Sequence, residues 1–220
     1  MKTSKLFLQW ITIVTLLAVN TLNTNAQGPF PSSAMPHVVC QSSTEPYGVT
    51  LTTGSTYAWT ISDPTAGAKT AGATPNLITV NWSKAGNYTL QVVETNQYGC
   101  VGSPVTIDVT VNAVAFITNK VHANICSGDN FEIIPVDGAG TDIIPAGTTY
   151  SWSAPVVAGI TGAAPGSGAT KISGTLTNTT DVPVDVVYTV TPTSGSCTGA
   201  AFSVTVKVYP QVKTSSIYHN

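Results

Sequence analysis

The sequence predicts an all-β protein built as two tandem antiparallel β-sandwiches behind a cleaved signal peptide. Three observations predict it. Apolar and polar residues alternate with a period of two in short runs between Gly, Pro, Asn and Asp clusters. A Tyr-x-Trp strand flanked by cysteines occurs twice in the same order. The first 26 residues have the composition of an export signal.

Lys2 and Lys5 form a short basic region, Leu6 to Val19 is an apolar stretch, and Asn20 to Ala26 is polar and ends in Thr-Asn-Ala. Thr24 and Ala26 stand as the small residues at positions −3 and −1, which places cleavage before Gln27. The apolar core of about 14 residues is short of the roughly 20 that a membrane-spanning helix needs, so no integral membrane segment is expected in the mature chain. Export puts that chain in an oxidising compartment: the periplasm, the outer membrane or the cell surface.

A repeat divides the mature chain. Gly54-Ser-Thr-Tyr57-Ala-Trp59 recurs as Gly147-Thr-Thr-Tyr150-Ser-Trp152. Cys40 precedes the first copy and Cys126 the second. Tyr98-Gly99-Cys100-Val101-Gly102 leads into Val105 to Val111, as Gly195-Ser196-Cys197-Thr198-Gly199 leads into Phe202 to Val208. Three landmarks in one order predict a duplicated unit, with sandwiches over residues 27–113 and 114–210 and an extended tail over 211–220. Each unit is near the size of an Ig domain, and small enough to gain from a covalent staple.

The strands come from the alternation. Tyr57, Trp59 and Ile61 fall on one face, as do Ile78, Val80 and Trp82, then Tyr88, Leu90 and Val92, then Val105, Ile107, Val109 and Val111. The second copy repeats this with Tyr150 and Trp152, with Val184, Val186, Tyr188 and Val190, and with Phe202, Val204, Val206 and Val208. No stretch of the mature chain shows the 3.6-residue period of an amphipathic helix. In step with Val, Ile and Leu, these aromatics are expected to face the core. Tyr47 and Tyr98 are left as the exposed aromatics of the first unit.

Four cysteines allow three connectivities. The repeat gives one pair per unit, so the expected disulfides are Cys40 with Cys100 and Cys126 with Cys197. No CxxC motif is present to suggest a redox or metal site.

Charge excludes several functions. The basic residues are all Lys, and without the signal six Lys face ten Asp and Glu. With no Arg and no basic cluster, nucleic-acid binding is not expected. His37, His122 and His219 are scattered, no Gly-x-Ser-x-Gly occurs, and no catalytic constellation can be drawn, so the chain reads as non-enzymatic with no cofactor. Asp137 with Asp142, Asp181 with Asp185, and Asp129 with Glu132 are candidate calcium-ligand pairs at loop ends, but Asp beside Gly or Pro is also ordinary turn chemistry. Asn81, Asn87 and Asn178 begin glycosylation-type tripeptides and read as strand residues.

The motifs Gly-Ser-Thr-Tyr-Ala-Trp-Thr-Ile, Ile-Thr-Val-Asn-Trp, Ala-Gly-Asn-Tyr-Thr-Leu and Glu-Thr-Asn-Gln-Tyr-Gly-Cys resemble those of PKD and PKD-like domains in Bacteroidetes cell-surface proteins. Many of those belong to gliding-motility and type IX secretion-associated adhesins. Ile125-Cys-Ser-Gly128 and Val187-Tyr-Thr-Val-Thr-Pro192 resemble a divergent PKD-like type, so the resemblance covers about residues 38–210. It implies PKD-like sandwiches and other cell-envelope or outer-membrane proteins as partners. The Asn-Gly-Asp-Gly segment of the sorting domain such adhesins carry does not occur here, which leads to the expectation of an accessory subunit.

The functional expectation is therefore an adaptor that presents loops, sheet edges or its tail to other proteins. An adhesin-type module binding glycan or matrix through loop aromatics is the alternative. After Pro210 the tail runs polar and extended to Ile217, Tyr218 and His219, the residues expected to dock on a partner's sheet edge.

Overall fold

A computed structural model describes residues 36–219; the signal-peptide expectation lies outside them. Among the described residues there is no helix, and they fall in one compact unit.

Seven strands come first: β1 (His37–Cys40), β2 (Thr44–Gly48), β3 (Thr56–Ile61), β4 (Gly67–Ala71), β5 (Leu77–Trp82), β6 (Gly86–Thr95) and β7 (Val105–Asn112). They form a four-stranded sheet in the order β1-β7-β6-β3 and a three-stranded sheet in the order β2-β5-β4. Strand β1 runs parallel to β7, and the other pairings are antiparallel. The alternation fixes which faces meet. Val39, Leu90, Val109 and Val111 from one sheet and Tyr47, Val80 and Trp82 from the other form a single apolar cluster. Trp82 is its centre: it is completely buried and stacks on Tyr88, with ring centroids 5.7 Å apart. Burying such a side chain contributes about 1.5–3 kcal/mol.

Eleven further strands complete the chain: β8 (Lys120–Val121), β9 (Ile125–Cys126), β10 (Asn130–Ile133), β11 (Thr149–Trp152), β12 (Ile160–Thr161), β13 (Gly166–Ala169), β14 (Ile172–Thr175), β15 (Thr177–Asn178), β16 (Val184–Ser194), β17 (Cys197–Thr198) and β18 (Phe202–Tyr209). The main sheet has the order β13-β11-β16-β18-β8, with β17 hairpinned on β16 and β9 beside β18. Two small sheets, β10-β14 and β12-β15, accompany it. A second apolar cluster gathers Phe131, Ile172, Leu176, Tyr188 and the inward Val residues of β16 and β18. The expected faces hold for β5, β6, β16 and β18, whose apolar residues on the predicted face are buried except the partly exposed Val184. At the open end of β7, Val105 is 60% exposed, which departs from the predicted stripe.

Two expectations need correction. Tyr47 is buried, not exposed. It lies on β2 despite Pro46, and its hydroxyl accepts from Trp82 Nε1 at 3.1 Å and meets His37 Nδ1 at 3.0 Å. The cysteine pairing also differs. Cys40 is bonded to Cys197, with Cα atoms 5.6 Å apart, and Cys100 and Cys126 are free and exposed.

The strand registers explain the pairing. Cys40 stands opposite Asn112 at one end of β7, while Cys100 lies past the β6 end at the other, where Val92 faces Val105. At about 3.4 Å per residue these ends are roughly 24 Å apart, far beyond the 4.4–6.8 Å between Cα atoms that a disulfide spans. Cys126 stands opposite Tyr209, whereas Cys197 pairs with Ser194 at the far end of β16. That separation is roughly 37 Å by the same rise. A disulfide within either set of sheets would require its strands to be rebuilt.

Candidate functional site

The junction between the two sets of sheets carries the most specific chemistry in the molecule. After Asn112 the chain leaves β7, and Ala115 and Ile117 turn inward and are buried. Phe116 makes an antiparallel bridge with Ile143. The 194–199 hairpin lies against this segment. A methyl group added to Gly199 would come within 2.2 Å of the Ala115 carbonyl oxygen, so the close approach requires glycine. Cys197, fully buried on the same hairpin, closes on Cys40.

Asp142 locks the other side. Its carboxylate is wholly shielded from solvent and accepts from the Thr118 amide and hydroxyl, both at 2.8 Å, and from Lys120 Nζ at 2.5 Å. Burial pushes this carboxyl up, but the Lys120 ammonium and the Thr118 donors outweigh it and hold it below the usual carboxylate range. A residue proposed from sequence as a calcium ligand is therefore a structural anchor for residues 118–120.

The other candidate ligands are also engaged. Asp137 accepts from the Ile144 amide, and Asp129 from the Cys126 amide. Glu132 pairs with Lys171, Asp185 with Lys207 and Asp181 with Lys213. Among the described residues no three His, Cys, Asp or Glu side chains come together as a metal site. His122 has both ring nitrogens in use: Nδ1 lies 2.5 Å from the Ala123 carbonyl, and Nε2 accepts from the Glu132 amide at 3.4 Å. Asn81, Asn87 and Asn178 all lie in strands, and buried Asn178 donates to the carbonyls of Val182 and Val208.

The surface offers shallow depressions. One of about 530 Å³ over the outer face of β11 and β16 is lined by Ser151, Trp152, Ser153, Thr189 and Thr191, with no titratable side chain in its wall. The Trp152 indole N–H is already given to the Ala164 carbonyl at 3.0 Å. Tyr98, 80% exposed, stands on the Cys100 hairpin. The tail residues Ile217, Tyr218 and His219 are exposed and touch no apolar cluster, so the structure brings them to no site. Sequence reasoning missed the Asp142 anchor and the Gly199 contact. Cys197-Thr-Gly199 carried the one available signal for the latter.

Residues 123–212 match the family model of the PKD-like domain. No curated protein matches the chain. Among solved structures, the D00-D0 domain of intimin is 12% identical, with a TM-score of 0.35 over 80% of this chain and 97% of that one. A mixed-linkage glucan utilization protein of Bacteroides ovatus, SGBP-B, solved with a heptasaccharide, is 15% identical, with a TM-score of 0.33 over 83% of this chain and 46% of that one. The fibronectin(III)-like modules of Clostridium thermocellum CbhA are 10% identical, with a TM-score of 0.31 over 86% of this chain and 97% of that one. Superpositions this loose bear on no functional reading. The match falls on the C-terminal sheets, so that part of this all-β chain is similar to a PKD-like domain. A closed disulfide fits a chain outside the reducing cytosol. No helix among the described residues is long and apolar enough to cross a membrane.

Proposed function

We propose that the chain is a non-enzymatic, exported adaptor or accessory subunit of a bacterial cell-envelope assembly, of the gliding or type IX secretion-associated kind. It consists of two PKD-like modules, residues 27–113 and 114–210, with the tail 211–220 as a docking segment. The observation that carries this reading is the Cys40–Cys197 bond, which ties the first strand of one module to a hairpin of the next. A linkage between modules fixes their relative placement, and a spacer or adaptor depends on that placement. The Asp, Glu and His side chains that sequence singles out in the second module are engaged in turns, lysine pairs and backbone contacts, consistent with a scaffold.

The tail supports the docking role through its chemistry. Val212, Ile217 and Tyr218 are 85%, 98% and 84% exposed on an irregular segment, and the sole described ion pair there, Lys213 with Asp181, is itself open to solvent. An extended segment with unpaired main-chain groups and exposed apolar side chains suits addition to a partner's sheet edge. Affinity purification from the native envelope, with the full chain and with residues 211–220 deleted, tests this. The full chain captures a defined envelope protein and the deletion loses it; equal capture by both would remove the tail from the interface.

A further inference from the structure

The two free cysteines occupy the positions that the bonded pair occupies. Cys40 stands opposite Asn112 and Cys126 opposite Tyr209, each on a parallel strand at the end of its module's last long strand. The Gln41 amide donates to the Asn112 carbonyl at 2.8 Å, and the Ser127 amide to the Tyr209 carbonyl at 2.9 Å. Ser43 N–H closes a turn on the Cys40 carbonyl and Asp129 N–H on that of Cys126, both at 3.0 Å. Two residues after each cysteine the backbone is left-handed, with φ of 69° at Ser42 and 93° at Gly128.

The hairpin cysteines match in the same way. Two residues after Cys100 the Gly102 amide donates to the Glu94 carbonyl at 2.8 Å, and two residues after Cys197 the Gly199 amide donates to the Pro192 carbonyl at 2.9 Å. The environments differ in one respect. Gly199 is covered by Ala115 of the chain leaving the preceding module, whereas a methyl group on Gly102 would meet only its own hairpin, at Glu94 O, 3.3 Å away. Ala115 is three residues past Asn112. The residue three past Tyr209 is Val212, which is 85% exposed.

We infer that the junction is repeated between molecules: Cys126 of one copy bonds to Cys100 of a second copy, with Val212 of the first laid over Gly102 of the second. A strand-end thiol and a hairpin thiol are the combination already joined inside the chain, and each free thiol is exposed. The contact is head-to-tail, so each copy keeps one donor end and one acceptor end, and assembly proceeds as an open chain or a ring. The bond forms by exchange with a low-molecular-weight disulfide. The Cys100 thiolate attacks oxidised glutathione and releases one glutathione thiol. The Cys126 thiolate then attacks the Cys100 sulfur of that mixed disulfide and releases the second. Two protein thiols become one disulfide and one glutathione disulfide becomes two thiols, so electrons and protons balance.

The inference rests on the two-module reading and fails separately from it: a chain that captures envelope proteins yet never self-links remains an adaptor without a repeated junction. The test uses the purified full-length mature chain in a glutathione redox buffer, then non-reducing electrophoresis and disulfide mapping. The expected result is a ladder of dimers, trimers and longer species in which a Cys100 peptide is linked to a Cys126 peptide. Cys100→Ser and Cys126→Ser each stay monomeric alone, and an equimolar mixture stops at dimers. A wild-type chain that stays monomeric overturns the inference. So does either variant dimerising alone as readily as the mixture, because that would show random surface thiols.

Discussion

Lys120 Nζ donates to Asp142 Oδ2 at 2.5 Å, joining a cation only partly withdrawn from water to a carboxylate with no exposed surface. This pair, with the two bonds from Thr118, ties the start of the C-terminal main sheet to the 137–144 loop. Removing one partner of a shielded ion pair leaves an uncompensated charge or empty donors.

Lys120→Ala, which strands the buried charge, is therefore expected to cost about 3 kcal/mol in urea unfolding. Asp142→Asn, which keeps the shape and removes the charge, is expected to cost less. The acid dependence comes from the direction of the Asp142 shift. Its folded-state carboxyl is depressed, so its stabilisation is complete above the ordinary aspartate range near pH 4 and is lost as pH falls through the lower folded value. Urea midpoints measured from pH 6 to pH 2 should fall in that acid window, and the Asp142→Asn chain should lose that part of the slope.

Two tyrosines separate by their hydroxyl partners. Tyr47→Phe strands the buried Trp82 indole N–H and is expected to destabilise by about 1–3 kcal/mol. Tyr188 is buried, and its hydroxyl has no hydrogen-bond partner among the described residues. Tyr188→Phe is expected to be neutral or stabilising by about 1 kcal/mol. Thermal or urea unfolding of both variants checks the contrast.

Tyr47 contributes to the alkaline limit alongside Tyr150 and Tyr188, whose phenols burial also pushes up. Burial, partly offset by the Trp82 hydrogen bond and reinforced by Glu45, pushes the Tyr47 phenol up to about 12. A raised folded value means its contribution is intact below pH 10 and is lost as pH rises towards 12. Absorbance titration of phenolate should show Tyr47 ionising late, together with unfolding, and Tyr47→Phe should remove that part of the late signal.

The matched glycines give a sharper contrast. Gly199→Ala drives a methyl group into the Ala115 carbonyl and is expected to destabilise by about 1–3 kcal/mol. Gly102→Ala meets nothing closer than 3.3 Å and should cost less than half as much. Melting temperatures of the two variants decide it.

Much of this fold was legible because a period of two is a local signal. The stripes Ile78-Val80-Trp82 and Val204-Val206-Val208 read directly as buried faces and are buried. Tyr47 was not legible, because Pro46 argues against a strand and only the packing of β2 on β5 shows that Pro46 needs no ladder donor there. The cysteine pairing failed for a related reason. Repetition shows that Cys40 and Cys126 are equivalent, but not which end of the sheet each occupies, and a staple between the two sets of sheets repeats as faithfully as one within either. Asp142 looked like a turn residue from its neighbours in sequence. Its burial depends on Lys120, 22 residues away.

The adaptor reading stands or falls with the covalent junction, and disulfide mapping of the unreduced protein probes that junction itself. The thiols are first blocked by alkylation, and the chain is then digested between its cysteines. The expected product is a peptide containing Cys40 linked to one containing Cys197, with Cys100 and Cys126 alkylated in the monomer. Recovery of Cys40 linked to Cys100, or of Cys126 linked to Cys197, would contradict it.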